Sequence, residues 1–219
     1  LFWVPSGEKP THGAYVRYAL SDLLAVLALE SQRNHCMVVG EDLGTVDDRV
    51  RDAMGPAQIH AYRVFYFTKG EDGAFRLPEN YPSQALVTVS THDLPTLPGY
   101  WKGRDIHVRG ELDLYPDPAT EEEQVLTRGQ DRTRIMVSLS KAGLLPKGTG
   151  LDAALLPDLP DSLIQAIHAY LARTPSRMMT FQFEDVMGQL DQVNFPGTVD
   201  EHPNWCRKLP ITLEAIGED

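Results

Sequence analysis

Three short acidic segments carry the residue types most suited to chemistry. Glu41 and Asp42 sit between two glycines in Gly40-Glu41-Asp42-Leu43-Gly44, and Asp93 follows a histidine in Thr91-His92-Asp93. Glu184 and Asp185 form the third, with Asn194-Phe195-Pro196-Gly197-Thr198 downstream. Carboxylates facing each other across one pocket suit glycosidic chemistry, in which one carboxyl donates a proton and another stabilises positive charge at the sugar. An acid in a partly desolvated pocket beside other carboxylates has a raised pKa, as a general acid requires. Plainer readings stand beside these. Glu41 and Asp42 could end a strand and lead into a helix cap. Asp93 could be an N-cap with Pro95 in the first helical turn, and His92 a hydrogen-bonded structural histidine.

Other chemistries find less support. The seven histidines and two cysteines include no His-Glu-x-x-His and no Cys-x-x-Cys, and His202 with Cys206 offers too few ligands for zinc. No Lys-Ser/Thr follows Gly40 and Gly44, so they form no phosphate loop, and no Gly-x-Ser-x-Gly marks a nucleophile elbow. Neither a metal nor a cofactor is expected.

For these acids to converge, they must lie at the carboxyl ends of parallel strands. The patterns fit such a frame. Leu20, Leu23, Leu24, Leu27 and Ala28 recur at helical spacing between Ala19 and Asn34, with Ser21 or Asp22 as a cap. Cys36 to Val39 reads as a strand buried on both faces, and Thr45 to Asp48 resembles a capping box opening a helix to Met54. Further strands are predicted over Ala61 to Phe67, Leu86 to Ser90 and Met178 to Phe183. Helices are predicted over Ala119 to Lys141, with Val125, Leu126, Ile135 and Leu139 on its apolar side, and over Ser162 to Ala172. Strands alternating with helices predict an α/β fold with a parallel sheet, and a mostly helical insertion at about 104–175.

Composition narrows the partners. With 31 acidic against 20 basic residues the 219-residue chain carries a formal charge of −11, which disfavours nucleic acid and anionic membranes. The longest apolar run, Leu23 to Leu29, is far below the roughly 20 residues that span a bilayer. Hydrophobic residues are 42% and charged residues 23%, so general disorder is not expected. Two cysteines make no disulfide framework, and a cytoplasmic location is expected.

Gly-Glu-Asp-Leu-Gly-Thr at 40–45 and Thr-His-Asp-Leu-Pro-Thr at 91–96 closely resemble motifs of the bacterial 4-α-glucanotransferases, the amylomaltases. Leu-Phe-Trp-Val-Pro-Ser-Gly at the start, Leu-Glu-Ser-Gln-Arg-Asn-His at 29–35, Asn-Phe-Pro-Gly-Thr, and Asn204-Trp205-x-Arg207-Lys208-Leu209 extend the likeness along the chain in family order. The resemblance implies a (β/α)₈ barrel of the TIM type, and transfer of α-1,4-glucan segments between maltooligosaccharides, with retention, through a covalent glucosyl-enzyme. It implies that Glu41 is the general acid/base, that Asp93 is the carboxylate stabilising the transition state, that His92 contacts the same sugar, and that Asn194 lies on a substrate-side loop. Tyr100 and Trp101 could offer an aromatic face to a glucose ring or be ordinary packing residues.

The family's nucleophile is an Asp in an Arg-x-Asp motif on the fourth strand, upstream of the segment matching Leu1-Phe2-Trp3, and no Arg-x-Asp occurs here. The expectation is therefore that residues 1–219 are the C-terminal half of the barrel, about strands five to eight. Such a half would be inactive alone and would self-associate through open barrel edges. An α-glucan hydrolase on the same barrel, or a non-catalytic carbohydrate-binding fragment, are the alternative readings.

Overall fold

The computed structural model describes residues 1–216, so the last three residues of the expected 1–219 barrel segment lie outside it. The chain divides into two compact units, Leu1–Ala61 and Tyr62 onward.

In the first unit, β1 (Phe2–Trp3) and β2 (Ala14–Tyr15) pair antiparallel, with Phe2 opposite Tyr15. The predicted helix is present as α1 (Leu20–Arg33). Ser21 and Asp22 are not its cap but lie in its first turn, where the Asp22 charge favours the exposed N–H groups. The apolar stripe of α1 buries no residue, and Leu23, Val26 and Leu29 stay exposed. β3 is only Val39–Gly40, paired in parallel with the start of β4 (His60–Val64). The expected doubly buried strand over Cys36–Val39 is thus corrected: Met37 is 67% exposed, because nothing in this unit covers that face. α2 (Asp48–Met54) forms where predicted, but its cap is Asp47, whose carboxylate accepts from the Arg49 N–H at 2.9 Å, rather than Thr45. Gly40 is closely approached, since a Cβ there would lie 2.7 Å from the Met54 methyl, the end of a flexible side chain that would have to shift.

The second unit holds the rest of β4, which gives way to a 3₁₀ turn at Phe65–Phe67 and so ends before the predicted Phe67. The sheet order continues from β4 to β5 (Ala85–Thr88). α3 (Leu97–Lys102), α4 (Arg104–Glu111), α5 (Pro118–Lys141), a 3₁₀ turn at Ala153–Leu155 and α6 (Asp161–Ala172) follow. β6 (Met178–Met179) then pairs in parallel with β5, Leu86 opposite Met178, and α7 (Phe183–Val186) occupies the end of the strand predicted to reach Phe183.

The core lies between β5 and these helices, where Val87, Leu97, Ile135, Leu139, Leu163 and Ile167 are buried. Val125 and Leu126, expected on the apolar side of α5, are exposed, so only the C-terminal half of that helix packs. Tyr100 and Trp101 are packing residues. Tyr100 stacks on Tyr66 with centroids 4.0 Å apart, and the Trp101 indole N–H donates to the Leu156 carbonyl at 2.8 Å. The Arg128 guanidinium lies 3.7 Å from the Tyr100 ring centroid and grips Asp105 with two hydrogen bonds of 2.8 Å.

This part-buried pair predicts a contrast. Arg128→Ala leaves Asp105 uncompensated and lowers unfolding free energy by about 3 kcal/mol, whereas breaking the exposed Lys102–Asp158 pair (2.6 Å) by Lys102→Ala costs under about 1 kcal/mol. Urea midpoints of the two variants check this, and equal losses would refute it.

Candidate active site

Of the three acidic segments, one directly follows β3, one lies in the loop after β5, and Glu184 and Asp185 lie in α7 after β6. Glu41 directly follows β3 in the first unit and is exposed, while Asp42 beside it is buried. The Arg51 guanidinium donates to the carbonyls of Asp42 at 3.3 Å and Gly44 at 3.1 Å, which fixes the Gly40–Gly44 loop from the helix that follows it.

Asp93, His92 and Asn194 come together in the second unit. After β5 the chain turns at Thr91, whose carbonyl accepts from the Leu94 N–H at 3.1 Å and whose hydroxyl oxygen accepts from the Asp93 N–H at 3.2 Å. The cap of α3 is Thr96, accepting from the Gly99 N–H at 3.1 Å, so Asp93 is left out of helix capping. The Asn194 side-chain amide donates to Asp93 Oδ1 at 2.6 Å, and His92 Nε2 lies 3.4 Å from the same oxygen. The Asn194 N–H donates to the His92 carbonyl at 3.1 Å. Gln192, which is buried, donates through Nε2 to the carbonyls of Asp93 (3.3 Å) and Asn194 (2.7 Å). Both of these side-chain contacts of Asp93 fall on Oδ1, which leaves Oδ2 without a hydrogen-bond partner among the described residues. The result is a half-exposed carboxylate flanked by an amide and an imidazole, a set able to bind neighbouring hydroxyl groups and to stabilise positive charge.

Two further contacts lock this loop to the segment after β6. Asp185 Oδ1 accepts from the Leu97 N–H at 2.5 Å, and the Thr96 hydroxyl donates to the Gln189 carbonyl at 2.5 Å. Gly99 sits against the Leu190 carbonyl, and a Cβ would collide with it. The downstream loop is itself braced. Asp191 accepts from Arg104 Nε at 2.8 Å and pairs with Arg207 at 3.0 Å, and Asn204 Oδ1 accepts from the Phe195 N–H at 2.8 Å. Beyond it, the Trp205 ring lies 5.1 Å from the His92 ring.

Gln192 and Trp205 were not singled out by the sequence pattern for the site. Gln192 carries no motif signal, and Trp205 stood out only as part of the Asn204-Trp205-x-Arg207 motif; their contacts with Asp93 and His92 join residues about a hundred positions apart. Asp185 was visible only as an acid after a strand. It is wholly buried, Oδ2 has no hydrogen-bond partner among the described residues, and burial pushes its carboxyl up to about 7, helped by Glu184 and opposed by the Leu97 N–H. Among the described residues no group of three or more His, Cys, Asp or Glu could hold a metal, and no helix is long and apolar enough to cross a membrane. Both cysteines are free and exposed.

Comparison with known proteins gives this arrangement a context. A sequence profile described as 4-alpha-glucanotransferase matches residues 1–213. The 4-alpha-glucanotransferase of Haemophilus influenzae is 38% identical over 216 residues, covering 99% of this chain and 30% of its own length. That of Mycobacterium tuberculosis is 36% identical, covering 97% of this chain and 28% of its own. The crystal structure of amylomaltase from Corynebacterium glutamicum superposes with a TM-score of 0.87 at 29% identity, covering all of this chain and 32% of that one. The chain thus spans about 30% of the length of the curated relatives it matches.

The buried Asp185 predicts a pH dependence with a definite sign. Its folded pKa of about 7 exceeds the ordinary 3.8, so the folded state holds the proton more tightly and stability falls as pH rises from about 4 to 7. Asp185→Asn keeps an oxygen for the Leu97 N–H and removes the titration. Its stability advantage over the native chain, read from urea midpoints, grows by up to about 1.4 kcal/mol per pH unit between pH 5 and 7. A difference constant with pH would contradict this.

Proposed function

Because this chain belongs to the 4-alpha-glucanotransferase family, with the α/β fold and parallel strands of its (β/α)₈ barrel, we propose that the whole protein carrying it transfers α-1,4-glucan segments between maltooligosaccharides. The observation that carries the reading is the cluster of Asp93, His92 and Asn194 at the carboxyl end of β5, formed by residues of the family's motifs. In the proposed reaction Glu41 gives its proton to the departing glycosidic oxygen and later takes one from the 4-hydroxyl of the acceptor. Asp93 stabilises positive charge at the anomeric carbon and binds the hydroxyls of that sugar through its free oxygen. Asn194 holds that carboxylate in register, and His92 reaches the same sugar.

Retention requires a nucleophilic carboxylate about 5–5.5 Å from the acid/base, and the family's Arg-x-Asp motif is absent from these 219 residues. The proposal is accordingly that this chain contributes the acid/base and the stabilising carboxylate, and that by itself it does not disproportionate maltotriose. The uncovered apolar stripe of α1 further supports self-association of the isolated chain.

Three measurements test the reading. The whole protein, incubated with maltotriose, is expected to yield glucose together with a ladder of longer maltodextrins; shorter products alone would mean hydrolysis instead. Glu41→Gln in that protein is expected to lower kcat by roughly 10²–10⁴-fold with the fold unchanged by circular dichroism, and near-normal turnover would remove Glu41 from its role. The isolated chain is expected to release no glucose and to sediment as a concentration-dependent mixture.

A further inference from the structure

Trp205 is one of several exposed aromatic residues of the second unit, with Phe67, Phe181 and Phe183, and of these four it alone stands at a positive φ. Trp101, Tyr100, Tyr170 and Phe195 are all buried, yet Trp205 is 63% exposed. Its backbone stands at φ +60°, a conformation that bulky side chains rarely adopt and that costs of the order of 1–3 kcal/mol. Three contacts hold it there. The Trp205 N–H donates to the Val193 carbonyl at 2.9 Å. Asn204, its neighbour, accepts from the Phe195 N–H at 2.8 Å and donates to the Thr198 hydroxyl at 2.8 Å. Strain maintained by a dedicated set of hydrogen bonds, for a side chain that ends in solvent, is the mark of a residue positioned for a ligand. The ring has a definite neighbour: its centroid is 5.1 Å from that of His92, at an interplanar angle of 41°. His92 in turn touches the Asp93 oxygen that Asn194 holds.

This juxtaposition has the two-sided chemistry of a sugar. A glucose ring offers apolar C–H groups on its faces and hydroxyls around its edge. An exposed indole suits the first, and the carboxylate, amide and imidazole beside it suit the second. We propose that Trp205 is the stacking platform for a glucose unit of the bound α-glucan, adjacent to the unit held by Asp93. The inference rests on the glucan substrate proposed above and adds to it the residue that reads a ring face. Tyr100 and Trp101, the aromatic residues nearest Asp93 in sequence, cannot serve, because both are enclosed.

The test is calorimetric titration of the whole protein with maltoheptaose. Trp205→Asn removes the ring while leaving a residue tolerant of positive φ, and Trp205→Phe keeps a ring face. Trp205→Asn is expected to bind at least about tenfold more weakly than the native protein, and Trp205→Phe within about threefold of it, with thermal midpoints of both close to native. Native affinity in Trp205→Asn would overturn the inference, as would Trp205→Phe binding as weakly as Trp205→Asn, or an absence of saturable binding by the native protein. Failure of the transfer reading is seen separately, in the maltotriose product ladder. Heptaose binding that depends on the Trp205 ring, without transfer, would leave the platform in place and remove the reaction.

Discussion

The hydrogen bond from the Leu97 N–H to the buried Asp185 carboxylate is the constraint on which the second unit's geometry turns. It joins the loop after β5 to the segment after β6, at the point where the chain enters α3. The Thr96 hydroxyl repeats the connection one residue earlier, through the Gln189 carbonyl. With Gly99 pressed against the Leu190 carbonyl, the two loops have little freedom to slide. Asp93 and Asn194 sit on these two loops, so their 2.6 Å contact follows from a scaffold made of backbone groups. Burying a carboxyl with one oxygen unpartnered carries a desolvation cost, and the raised pKa of Asp185 is its expression. That cost falls on a residue outside the Asp93, His92 and Asn194 cluster, in which Asp93 is half exposed.

What the sequence made legible was governed by local rules. The helices α1, α5 and α6 stand within a residue of their predicted ends, because 3.6-residue periodicity and flanking residues such as Asp117 and Pro118 act within a few positions. Strand limits failed where pairing, rather than propensity, decides them. Cys36-Met37-Val38-Val39 has the composition of a buried strand, but only Val39 and Gly40 find partners, opposite His60 and Ala61. Phe65 to Phe67 likewise has strand-like residues and folds as a 3₁₀ turn, with Phe65 stacked on Phe75 at 4.6 Å.

The candidate site divides the same way. Asp93 and Asn194 were legible as motif residues, but their contact, 101 residues apart in sequence, was not. Aromatic residues were the least legible, because residue type does not encode burial. Tyr100 and Trp101 lie close to Asp93 in sequence and are spent on the core, where Arg128 covers one and Arg132 the other. Trp205 owes its position to a positive φ that no local pattern announces.

The bare stripe of α1 also bears on how the first unit moves. A 14-residue helix in water is close to the length at which order and disorder balance, and most helices of that size are held by the face they bury. With no buried residue, α1 relies on intrinsic propensity, the Arg33–Glu30 ion pair and its terminal hydrogen bonds. Its amides therefore open by local fraying, independently of global unfolding, and exchange with solvent far faster than those of the buried half of α5. Within one chain, the mostly apolar α1 buries no residue while the more highly charged α5 buries Ile135, Met136 and Leu139, so burial rather than composition sets how firmly each helix is held.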